Sequence, residues 1–155
     1  MNYSANLLRT MGTSAARDLV TENHHSSQQK LWRHVVLNAI EDTHINNSDR
    51  KSSLVKLDAH KWLCDSQDFD KICWWAGWDP TEIKHRYKTA IRKEEIKFNT
   101  RQLKWKIYND TYEAHKNETD RDRKKMLRIK VVRLRTEVMN CPIIWLSNIY
   151  QEVKA

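Results

Sequence analysis

Glycine and proline are nearly absent from this chain: 155 residues hold two of each, against usual frequencies of about 7% and 5%. Hairpin turns consume glycine, Asn-Gly and proline, so a chain without them has little means of folding as sheet. The scarcity predicts an all-α fold: a small multi-helix domain followed by a helical C-terminal extension. One glycine and one proline nevertheless stand three positions apart, in DFDKICWWAGWDPTEIKHRYK at 68–88. Gly77 reads as the left-handed residue that ends a short helix over Phe69–Ala76, capped by Asp68. Asp79 reads as the cap of the next helix, Pro80 as its first residue, and Glu82 as the returning half of a capping box. The pair therefore marks the stop and start of a tight turn between two helices.

That turn matches much of a helix-turn-helix of the DNA-reading type, spanning residues 69–92. Counted from Phe69, the glycine is ninth, small Cys73 is fifth and apolar Ile83 is fifteenth. The eighteenth position, normally apolar, is Arg86. An ordinary αα corner is the competing reading. In the second helix Ile83, Tyr87, Ala90 and Ile91 form an inner face. Thr81, Lys84, His85, Lys88 and Arg92 share the outer one. Lysine and arginine there suit phosphates, and threonine and histidine suit base edges.

The charge is uneven. Residues 1–80 carry 9 Lys+Arg against 10 Asp+Glu, and residues 81–155 carry 19 against 10. A basic half suggests a polyanionic partner. In NETDRDRKKMLRIKVVRLRTEVM, Leu127, Val131, Leu134 and Val138 fall within about 60° of one another on a helix. Ile129 and Val132 fall roughly opposite. Two apolar faces on one charged helix suggest burial between neighbours or an oligomer contact; a strand through RIKVVRLR is the minority alternative. Arg128 and Arg133 of this segment are candidate phosphate contacts. Trp105, between Lys104 and Lys106, suits either a base stack or a core position with lysine stems alongside.

The remainder is organised around these units. Residues 1–26 are polar and read as a flexible arm. A helix from Ser27 presents Leu31, Val35 and Ile40, broadened by Trp32, Val36 and Ala39. A second presents Val55, Ala59, Trp62 and Leu63. Residues 27–98 form the expected helical domain and 99–155 the basic helical extension, with a last helix from Pro142 carrying Trp145, Leu146, Ile149, Tyr150 and Val153. No zinc spacing joins Cys64, Cys73 and Cys141, and neither His24-His25 nor His60 with Cys64 has a complementary ligand pair, so neither metal nor cofactor is expected. There is no glycine-rich phosphate loop, serine elbow or HExxH, which leaves no catalytic residue to nominate. No apolar run reaches 18 residues, and the amino terminus has no secretory core; two arginines before the first acid give it a weak organellar-transit character, and a cytoplasmic location is the main expectation.

Leu31, Trp32, Arg33, Ala59, Trp62, Leu63, Asp68, Phe69, Cys73, Ala76, Gly77, Asp79 and Pro80 together follow a pattern of Leu-Trp-Arg, Ala with Trp-Leu, then Asp-Phe, Cys and Ala-Gly-x-Asp-Pro. Over residues 30–90 the chain resembles a family of small proteins of tailed phages and proteobacterial prophages. The resemblance implies a viral or prophage setting, a helical fold and the cytoplasm of a bacterial host. It supplies no catalytic residue. Two functional classes follow. One is a nucleic-acid-binding protein, acting on DNA with RNA open, as a regulator or as a DNA-recognition component of packaging or assembly. The other is a helical adaptor or structural protein that docks an acidic protein partner.

Overall fold

Helices make up about three-quarters of the part of the chain that the computed structural model describes, residues 3–20 and 25–146. They are α1 (Ala5–Val20), α2 (Ser27–Thr43), α3 (Arg50–Asp65), α4 (Gln67–Trp75), α5 (Pro80–Arg92), α6 (Thr100–Asn117) and α7 (Arg121–Asn140). Two short strands, β1 (Phe98–Asn99) and β2 (Trp145–Leu146), pair antiparallel with Phe98 opposite Leu146. The fold is all-α, as the glycine and proline scarcity predicts.

Gly77 behaves as its position requires. Its φ is +74°. Its N–H donates to Trp74 O at 3.0 Å, and the Trp78 N–H donates to Cys73 O at 2.9 Å. These two bonds satisfy carbonyls at the end of α4 in a Schellman arrangement. The Asp79 carboxylate then accepts from the Thr81 N–H at 2.8 Å, and Pro80 opens α5. Two expected caps differ. Ser66, not Asp68, caps α4, because its hydroxyl reaches the Asp68 N–H at 3.1 Å. Glu82 closes no capping box; its carboxylate is held by Arg86 instead. Asp79→Ala is expected to cost about 1 kcal/mol in urea denaturation. Gly77→Val is expected to cost more, since a β-branched residue is strained at that φ and its Cβ would run into the Gln29 amide.

The buried faces of α2 and α3 keep Val36, Ile40, Ala59 and Leu63 of the expected stripes but are shifted toward polar neighbours. In α2 the interior takes Arg33, Val36, Leu37 and Ile40, while Leu31 is exposed. In α3 it takes Ser53, Lys56, Leu57, Ala59, His60 and Leu63, while Val55 is at the surface. The cause in both helices is a polar side chain with an interior partner. Arg33 Nε donates to Ala76 O at 2.8 Å, and its guanidinium lies 5.1 Å from the Trp78 ring centroid. Lys56 Nζ donates to the carbonyls of Ile45 and Lys97, and lies 4.8 Å from the Phe98 ring. His60 Nδ1 is 2.8 Å from the Tyr87 hydroxyl. A buried polar group with a partner costs little, whereas one without costs the full desolvation.

Residues 1–26 are not simply an arm. Residues 5–20 form α1, with Leu7 and Met11 fully buried in the same core as Val36 and Phe69. α1 kinks at Gly12 (φ 80°), and a Cβ there would run into the Arg86 guanidinium. The second glycine of the chain thus lets α1 lie against α5.

The boundary expected at residue 99 is also absent. Asn99 and Gln102 form a capping box at the start of α6, Asn99 Oδ1 accepting from the Gln102 N–H at 2.9 Å and Gln102 Oε1 from the Asn99 N–H at 3.1 Å. The Gln102 amide donates to Asn47 O at 2.9 Å, and the Trp105 indole N–H to Ser48 O at 2.9 Å. α6 is therefore built into the domain against α3. After α7 the expected helix from Pro142 does not form. Thr100 donates its N–H to Ile144 O at 3.0 Å and its hydroxyl to Pro142 O at 2.6 Å, and Arg101 donates to Cys141 O at 2.8 Å. These bonds draw residues 141–146 into an extended path that ends in β2. Ile149, Tyr150 and Val153 lie outside the described residues.

Candidate nucleic-acid interface

α5 buries Ile83, Tyr87, Ala90 and Ile91 and turns its other side outward. Thr81, His85, Lys88 and Arg92 are exposed on that side, and neither α6 nor α7 packs over it. Lys84 is different. Its ammonium donates to Asp70 of α4 at 2.7 Å and lies 5.3 Å from the Phe69 ring centroid, so it ties α5 to α4. Arg86, the apolar-position mismatch, pairs with Glu82 at 2.6 Å beside α1. His85 opens onto a groove of about 340 Å³ between α1 and α5 that Arg9, Thr10 and Lys93 also line. The amino-terminal end of α5 is acidic in character, through Asp79 and Glu82.

α7 carries the stronger electrostatic feature. Its 20 residues include Arg121, Arg123, Lys124, Lys125, Arg128, Lys130, Arg133 and Arg135, against Asp122 and Glu137. All eight cations are exposed. Among the described residues only Arg133 of the eight is ion-paired, to Glu137 at 2.9 Å. Among the described residues the helix packs chiefly against α6, and Leu127, Val131, Leu134 and Val138 are its shielded apolar positions. At 1.5 Å per residue it is a rod about 30 Å long with cations around its free surface. Sequence reasoning singled out Arg128 and Arg133 and passed over the other six. The signal was present as eight basic residues spread over 121–135, on a segment whose acids could not neutralise them.

Several other candidates are structural. Trp105 is half-buried and meets Tyr108 edge-on with ring centroids 5.5 Å apart, so with its indole bonded to Ser48 it is a packing residue, not a base platform. His60 and Cys64 form no metal site with a third ligand: among the described residues no group of three or more His, Cys, Asp and Glu could hold an ion. Burial pushes the His60 imidazole down to about 4 and the Cys73 thiol up to about 12. Both groups are neutral at physiological pH. The residues behind the phage-protein resemblance meet in space. Arg33 bonds the Ala76 carbonyl beside Gly77, and Trp62 stands edge-on to Phe69 at 5.2 Å. They hold the α2–α4 junction and the turn. No protein-family model, curated protein or solved structure matches the chain.

Proposed function

We propose that this protein binds nucleic acid, with duplex DNA as the first ligand to test, and performs no catalysis of its own. The observation that carries the reading is α7: eight exposed cations on one helix, seven of them without an ion-pair partner among the described residues. Holding so many like charges together works against the folded state unless an external anion answers them. DNA presents one negative charge per about 1.7 Å of axis, which suits a cationic rod of this length. In this reading α7 holds the phosphate backbone. Thr81 and His85 on α5 approach the bases, Lys88 and Arg92 meet the flanking phosphates, and Lys84 keeps α5 in place through Asp70. The resemblance to phage and prophage proteins supports a role as a regulator or as a DNA-recognition component of packaging or assembly. No described helix is long and apolar enough to cross a membrane, so the cations are not read as the flank of a span.

The first test is fluorescence anisotropy of a labelled random-sequence duplex at about 50 mM salt, where phosphate contacts are strongest. Binding of the full chain is expected. Thr81→Ala and His85→Ala are expected to narrow the difference between preferred and random sequences, because base contacts carry the sequence information. A wild-type chain that leaves the duplex free at this salt would remove the proposal.

A further inference from the structure

α7 has a second seam that phosphates do not explain. Its first seam, Leu127, Val131, Leu134 and Val138, follows 4-3-4 spacing and faces α6. Ile129, Val132, Thr136 and Met139 follow 3-4-3 spacing on the opposite side. At about 100° per residue their mean direction is roughly 150° from the first. All four are exposed: Ile129 is 61%, Val132 62% and Met139 63% accessible. Three large apolar side chains at a and d positions are the knobs of a coiled coil without its other helix.

The residues beside the seam say what that helix must be. With Ile129 at a, Arg128 and Arg135 fall at g and Arg133 at e. These positions set partner choice in coiled coils. A second copy of α7 would bring arginine against arginine in either orientation, which disfavours self-pairing. A helix with acidic residues at e and g would meet them with opposite charge. We infer that α7 docks an acidic amphipathic helix of a different protein through Ile129, Val132 and Met139. The apolar stripe carries this independently of the nucleic-acid reading. Arg128 and Arg133 are common to both surfaces, so a bound acidic helix takes away cations that a duplex uses.

The test uses the full chain and two labelled synthetic helices with leucine at a and d, one with glutamate and one with lysine at e and g. The acidic peptide is expected to bind at least tenfold more tightly than the basic one. Ile129→Ser with Val132→Ser is expected to weaken it at least tenfold while leaving duplex binding unchanged, since neither side chain is charged. Equal binding of the two peptides overturns the inference, as does an acidic peptide indifferent to the double substitution. A wild-type dimer in sedimentation that the double substitution turns into monomer also overturns it, by placing a second copy on the seam. Absence of duplex binding by the wild type bears on the nucleic-acid proposal alone, because the peptide measurement contains no DNA.

Discussion

Replacing Lys56 by alanine is expected to destabilise the protein by about 3–5 kcal/mol, from a cavity in the core and two carbonyls left without a donor. Lys56 is fully buried and joins three segments that are distant in sequence. Its ammonium bonds the carbonyl of Ile45 at 2.6 Å, after α2, and that of Lys97, before β1. It also lies over Phe98 of β1 and 6.0 Å from the Trp145 ring of β2. Lys56→Met keeps most of the apolar volume and loses only the donors, so about 1–3 kcal/mol is expected. Urea titration at neutral pH measures both. The pH dependence is specific. Burial lowers the Lys56 amine from 10.5 to about 8. Below pH 8 the group is charged in folded and unfolded chains alike, and the folded chain bears the cost of burying the charge. Between pH 8 and 10.5 the unfolded chain still holds the proton and the folded chain does not, so this group makes stability rise with pH. The neutral amine keeps two N–H donors, so the bonds to Ile45 and Lys97 survive deprotonation. Subtracting the Lys56→Met profile from the wild-type profile isolates the rise from other titrations. A flat difference between pH 8 and 10.5 would contradict the assignment.

Replacing Arg128, Lys130, Arg133 and Arg135 together by alanine is expected to reduce duplex affinity by at least a hundredfold at low salt. It should do so about equally for every sequence, because phosphate contacts carry no base information. Each lost contact should also flatten the plot of log K against log salt by about 0.9. The fold should persist. All four side chains are exposed, and the one ion pair lost among the described residues, Arg133 with Glu137, is an exposed i,i+4 pair worth a few tenths of a kcal/mol. Alanine is also the better helix former. Circular dichroism unchanged beside lost affinity would place the effect in the interface. Affinity unchanged by the four substitutions would exclude α7 as the phosphate-binding element.

The turn at Gly77 was legible because its chemistry is local. A glycine with positive φ, a capping aspartate and a proline at the first helical position announce themselves within four residues. The end of α5 uses the same hydrogen bonds: Glu94 N–H to Ile91 O and Glu95 N–H to Ala90 O, at 3.0 and 2.9 Å. There the left-handed position is filled by Glu94 (φ 58°), so the sequence carries no sign of it. The buried faces of α2 and α3 were read in part: Val36, Ile40, Ala59 and Leu63 are interior as expected, and the polar Arg33, Lys56 and His60 were missed. Apolar periodicity assigns arginine and lysine to the surface, and only the tertiary partners, Ala76 for Arg33 and Ile45 with Lys97 for Lys56, reverse that. β2 escaped for the same reason, because Pro142 is as good a helix start as Pro80 until Thr100 and Arg101 claim the carbonyls around it. On α5 the exposure of Thr81, His85, Lys88 and Arg92 was legible from the helical spacing. Lys84 was misread because Asp70 lies fourteen residues away on another helix.

The central claim is that α7 is a cationic element made to hold nucleic-acid phosphates, and its most direct measurement is the salt dependence of duplex binding by the wild-type chain. Four phosphate contacts predict a fall in affinity on the order of a hundredfold between about 50 and 200 mM salt, linear in log K against log salt. Binding that is absent at the low end, or equally tight at both ends, would contradict it.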